Sequence, residues 1–165
     1  MTNAGGSANY RNLILFGAKV NPLIDNGQYW RLLTCIFIHI GFTHLFFNIY
    51  SLLVMGKFCE DIFGHGKLLL IFLFSGIMGS YVSYLLSPKI SAGASGAIFG
   101  LLGALVAYGW SSKAFWRSGL ITNLLVVLGI NLFMGFASTG IDNYGHLGGL
   151  LGGILLGILF RSFQR

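Results

Sequence analysis

Acidic side chains are nearly missing from this 165-residue chain: Asp and Glu together number 4, against 10 Lys and Arg, and all charged residues amount to 8%. A soluble domain of ordinary composition carries about a quarter charged residues. A water-facing surface is therefore excluded, and lipid is the expected solvent. Proline is scarce, with 2 residues, while glycine reaches 25. The glycines sit inside long apolar runs without a three-residue period, which excludes collagen-like and disordered readings. Close approach of helices in a bilayer accounts for them, because small residues let backbones meet. Cysteine is limited to Cys35 and Cys59. They flank one apolar stretch, so a helical rise of about 1.5 Å per residue sets them some tens of Å apart. A disulfide needs Cα atoms within roughly 7 Å, and none is expected. The net charge of +6 does not point to nucleic acid, because the basic residues are scattered and not clustered.

What the chain does contain is five uncharged stretches, at about 43–58 (passing Lys57), 68–86, 95–110, 119–137 and 145–160. The expected fold is all-α, a polytopic helical bundle forming one membrane domain. The second and fourth stretches have about the 20 residues that cross a 30 Å core. Sixteen helical residues reach only about 24 Å, so the third and fifth are expected to end inside the membrane. Irregular backbone at that depth is tolerated only where protein buries it or it lines a wet cavity. Residues 1–42 read as an external or interfacial segment. Leu13–Ile24 is too short and too interrupted to span, and Tyr29 and Trp30 are candidates for headgroup anchors. No signal peptide is evident. If the spans alternate, Lys57, Lys67, Lys113, Arg117, Arg161 and Arg165 share one side, and Arg11, Lys19, Arg31 and Lys89 the other. That bias favours a cytoplasmic C-terminus.

Polar residues at depth carry the information in such a chain. His44 and Asn48 open the first stretch, Ser95 the third and His146 the fifth. Alternating spans bring these three ends to one face. Ser95 lies in Gly93-Ala94-Ser95-Gly96, where glycines permit a sharp turn before a helix. The first backbone N–H groups of that helix are unpaired and carry partial positive charge, as oxyanion donors must. A serine there also reads simply as a helix cap. His146 stands above Gly149, Gly153 and Gly157, a small-residue stripe of four-residue period that matches Gly96 and Gly100 on the third stretch. Packing these faces together would bring Ser95 and His146 within reach; the alternative is an interfacial, snorkelling histidine. A serine needs only an adjacent base for activation, and Asp142 lies too early to complete a triad. His44 and Asn48, at i and i+4, share a helix face and suit either oxyanion stabilisation or polar contacts between helices. His39, His44 and His146 lack a Cys or carboxylate at ligand spacing, so no metal is expected. His65, near Glu60 and Asp61, reads as solvated.

These residues resemble the rhomboid family. The resemblance runs from about Leu13 to Phe160 and rests on Trp30-Arg31, on His44 and Asn48 in H-x-x-x-N, on Gly93-Ala94-Ser95-Gly96 in G-x-S-G, and on His146 with its glycines. It implies an intramembrane serine endopeptidase with a Ser95–His146 dyad in a wet cavity open to the non-cytoplasmic side. It implies an oxyanion hole from His44, Asn48 and the Ser95 backbone N–H, supported by Phe99, Gly93, Gly96, Gly149 and Gly153, with no cofactor. Implied substrates are single-span proteins whose helix unwinds near the cut, and the implied location is a bacterial inner membrane. Phe99 stands where the family often has tyrosine, so the hydroxyl is absent and stacking remains. The family core has six spans against the five seen, which implies that the first is missing here. Two other readings stay open: a catalytically impaired relative that binds membrane clients, and a small transporter, although neither paired half-helices nor an internal repeat is evident.

Overall fold

The computed structural model describes residues 6–137 and 140–162. These are helical apart from turns and one isolated bridge between Lys19 and Ser91. Three short helices come first: α1 (Tyr10–Phe16), α2 (Asn21–Asp25) and α3 (Arg31–Thr34), the last continuing into a 3-10 turn at Cys35–Phe37. The Asn9 side chain caps α1 by accepting the Arg11 N–H at 2.9 Å, one of the donors a helix start leaves unpaired. The apolar stretch Leu13–Ile24 is thus two helices with a sharp turn between them, and Lys19 in that turn is wholly buried.

The long helices follow: α4 (Gly41–Phe63), α5 (His65–Leu86), α6 (Ser95–Gly109), the short α7 (Lys113–Arg117), α8 (Leu120–Ala137) and α9 (Asn143–Ser162). By length and composition α4, α5 and α9 can each cross a membrane, whereas α6 and α8 are shorter apolar helices. Helix α4 runs further than its uncharged stretch, and Lys57 and Asp61 pair one turn apart on its exposed side. A single residue, Gly64, separates α4 from α5. Its φ of +80° reverses the chain in a conformation other residues rarely adopt.

Helix α6 is the centre of the bundle. Ala97, Leu101 and Ala104 are fully buried there, and Leu105 is nearly so. Around it stand α9, α5, α4 and α8, with α9 making the most extensive contact. Small residues explain that intimacy. A methyl group on Gly149 would lie 1.9 Å from the Gly96 carbonyl oxygen, and one on Gly153 would lie 1.8 Å from that of Gly100. The stripe read from the sequence therefore faces its expected partner, backbone against backbone. On the other side, a methyl on Gly100 would strike Ser75 of α5. Outward faces carry exposed Phe46, Phe47, Tyr50 and Leu53 on α4, and Ile130, Phe133 and Met134 on α8. So large an apolar exterior suits lipid, in agreement with an all-α membrane bundle.

Candidate active site

The loop from Ser87 to Ala94 leads into α6. Gly93, with φ +140°, sits under the His44 ring: a Cβ there would be 2.6 Å from its Cε1 atom. Only glycine fits both the backbone angle and that space. Ala94 is the N-cap of α6, and no side chain caps this end. Ser95 is thus the first helical residue, and its hydroxyl serves another partner. His146 Nε2 lies 2.9 Å from Ser95 Oγ. His146 occupies the first turn of α9, where its N–H bonds the Asp142 carbonyl at 3.1 Å.

The imidazole is held by packing. Phe99, one turn below Ser95, stacks on it with centroids 4.2 Å apart and planes within 12°. His146 is buried, and Nδ1 has no hydrogen-bond partner among the described residues. Asp142 does not reach it, because its Oδ1 accepts the Gly145 N–H at 3.0 Å at the start of α9. The arrangement is a pair and not a triad. A nucleophile and a base in hydrogen-bond contact are sufficient for activation.

A small pocket of about 20 Å³ borders the pair, lined by Ser95, His146, Gly93, Ser91, Ser80 and Cys35 among others. Two nucleophile types face it, but only Ser95 has a base. Burial pushes the Cys35 thiol up to about 11, so the thiolate needed for attack is negligible at neutral pH. Its Sγ lies 3.0 Å from Ser80 Oγ. Cys59 is distant in role, donating to the Leu101 carbonyl at 3.5 Å. Both thiols are free.

The two other sequence-predicted side chains differ in placement. The neutral His44 ring accepts the Ile40 N–H at Nδ1, 3.3 Å away, so its proton resides on Nε2, the edge beside Gly93. Asn48 is buried, and its Nδ2 donates back to the His44 carbonyl at 2.8 Å. That amide N–H is therefore turned along its own helix rather than toward Ser95, while its Oδ1 is unpartnered among the described residues. Sequence reasoning passed over His39 as a positioning group. Its Nε2 accepts the Ala94 N–H at 3.4 Å, and its ring meets His44 edge-on at 5.4 Å. The only signal was its five-residue spacing from His44. His65 engages Glu60 at the opposite end of α4.

Comparison with known proteins places the chain in a family. The family model for the rhomboid domain matches residues 26–163. This chain belongs to the rhomboid family. It is 51% identical over 149 residues to the rhomboid protease GluP of Bacillus subtilis, covering 90% of this chain and 29% of that protein. It is 38% identical to RHOMBOID-like protein 5 of Arabidopsis thaliana, covering 87% of this chain and 48% of the relative. With the putative rhomboid protease YdcA of Bacillus subtilis it shares 36% identity, covering 82% of this chain and 69% of that protein. The chain thus spans less than half the length of the first two relatives.

Proposed function

We propose that this rhomboid is an intramembrane serine endopeptidase with Ser95 as nucleophile and His146 as base. The observation that carries the reading is the 2.9 Å contact between Ser95 Oγ and His146 Nε2 beside a pocket. His146 takes the Ser95 proton as Oγ attacks the scissile carbonyl, then gives it to the leaving amine. Water, deprotonated by the same ring, hydrolyses the acyl-enzyme. Negative charge on the carbonyl oxygen is met by the N–H of Ser95 at the uncapped start of α6 and by the His44 Nε2–H edge. Asn48 joins them after rotation of its amide away from the His44 carbonyl.

Helix length supports a site below the membrane surface. The 15 residues of α6 extend about 22 Å, short of a 30 Å core. With exposed Trp110 marking the interface at one end, Ser95 lies several Å inside the other. Substrates are then single-span proteins whose helix opens to let an extended segment enter, and small side chains fit a wall of Gly76, Gly79, Gly96 and Ala97. The membrane is a bacterial inner membrane, and the charge bias of the loops supports a C-terminus on its cytoplasmic side.

The test is labelling by a serine-reactive fluorophosphonate in detergent. Wild type labels, Ser95→Ala does not, and His146→Ala labels at least 100-fold more slowly, the order of effect expected for loss of a general base (~10²–10⁴). Equal labelling of all three proteins refutes the pair. Cleavage of a single-span reporter in proteoliposomes, absent with Ser95→Ala, then tests the substrate class.

A further inference from the structure

Within the loop that presents Ser95 the Lys89 N–H donates to Ser87 Oγ at 3.3 Å, and most of the loop's bonds among the described residues reach outside it. It is suspended from the N-terminal segment. The Lys19 and Ser91 backbones exchange two bonds, at 2.9 and 3.1 Å. The Lys19 ammonium donates to the carbonyls of Ser87 and Lys89, each at 2.8 Å. Asn21 adds a bond to the Ser87 carbonyl at 3.1 Å, and the Gly93 N–H donates to the Cys35 carbonyl at 2.9 Å.

Lys19 grips the loop at its beginning, beside Asn21, and also at its middle, and Ser91, which it pairs with, lines the pocket. It is also an expensive residue to keep there. Its side chain has no exposed surface, and no carboxylate lies within ion-pair distance among the described residues. Burying an ammonium costs several kcal/mol unless donors are matched, and an apolar side chain of similar volume fills such a space at lower cost. Mere filling therefore does not explain a lysine. Two charge-assisted bonds onto backbone carbonyls of the loop do.

We propose that Lys19 is a positioning residue for the nucleophile: its buried head group fixes the 87–94 loop, and through Ser91 and Gly93 it sets where Ser95 stands relative to His146. The proposal rests on the serine protease reading above. Because Lys19 lies 68 residues from Ser87 in the chain, the N-terminal segment becomes part of the site's geometry and not only a surface cover.

The experiment compares wild type, Lys19→Met and Lys19→Gln with the fluorophosphonate, measuring both the fraction labelled at saturation and the labelling rate per labelled site. KM and kcat are measured on one cleavable substrate. A purely structural loss lowers the labelled fraction and leaves the per-site rate and KM untouched. Loss of positioning lowers the per-site rate and kcat by about tenfold or more, since a 1 Å misplacement costs about 100-fold. KM stays near wild type. Lys19→Gln, which keeps an amide NH2 donor group but no charge, falls between the other two. If Lys19→Met does not fold, the Gln variant decides by the same criterion. A folded variant whose per-site rate stays within twofold of wild type overturns the proposal. If wild type itself shows no Ser95-dependent labelling, the protease reading falls, and this inference with it.

Discussion

Replacing Gly149 by alanine tests the contact on which the site depends. The added methyl would lie 1.9 Å from the Gly96 carbonyl oxygen, whereas ordinary contact begins near 3.4 Å. About 1.5 Å of separation must open between α6 and α9. The obstacle is backbone, so no side-chain rotation relieves it. Ser95 adjoins Gly96, and His146 lies less than one turn from Gly149, so the opening falls on the reacting pair. Added to the present 2.9 Å, even half of it takes the contact past hydrogen-bond range. Overpacking of this kind costs about 1–3 kcal/mol of stability, while a misplacement near 1 Å costs about 100-fold in rate. Activity should therefore fall far more than stability. The assay is fluorophosphonate labelling per folded molecule beside a thermal melt in the same detergent. Gly129→Ala, where a methyl meets nothing within 4 Å, is the matched control and should behave as wild type. Labelling of Gly149→Ala within twofold of wild type would refute the argument that glycine contact sets the Ser95–His146 distance.

Phe99→Leu removes the ring stacked on His146 and should slow labelling by about 2- to 12-fold, the equivalent of about 0.5–1.5 kcal/mol; an unchanged rate would mean the stack does not orient the base. Arg31→Met leaves the Ala18 carbonyl, bonded now at 3.1 Å, without this donor, and the Ile14 carbonyl, bonded at 2.8 Å, with only the Gly17 N–H at 3.3 Å. Stability should drop by about 1–3 kcal/mol, read from the melting temperature. Burial holds the His39 pKa below its ordinary value, so the unfolded chain binds this proton more readily than the folded one. Its contribution to stability is then complete above about pH 6.5 and is lost as the pH falls toward the folded value. Melts between pH 7 and 5 should show this decline in wild type and a shallower one in His39→Gln.

The glycine stripe was legible because its information is local. Gly149, Gly153 and Gly157 recur at a helical period, and the matching Gly96 and Gly100 differ from every larger neighbour, so both the faces and their register could be read. The level at which Ser95, His44 and His146 meet followed from span alternation alone. Lys19 was not legible. Its partners are backbone carbonyls of Ser87 and Lys89, and carbonyls are the same in every residue, so no side-chain pattern announces them. His39 escaped for a related reason, since it accepts from the Ala94 backbone N–H. The Asn48 amide direction was also out of reach, because a helix face fixes where a side chain starts and not which way its last torsion turns.

Buried cations also alter how the loop charges are to be counted. Read from sequence, Arg11, Lys19, Arg31 and Lys89 all oppose the basic residues of the other side. Lys19 and Arg31 are buried donors to backbone carbonyls, whereas Arg11 and Lys89 are exposed. On the opposite side Lys57, Lys113 and Arg117 are exposed, and Lys67 and Arg161 partly so. A charge satisfied inside a folded segment does not act as a free headgroup-facing cation, so the difference between the two sets in exposed basic residues is larger than the raw count. The same two residues therefore do opposite things at two levels of description. In the sequence they dilute the charge asymmetry, whereas in the fold Arg31 ties the N-terminal segment together through Ile14 and Ala18 and Lys19 holds that segment against the loop that carries Ser95.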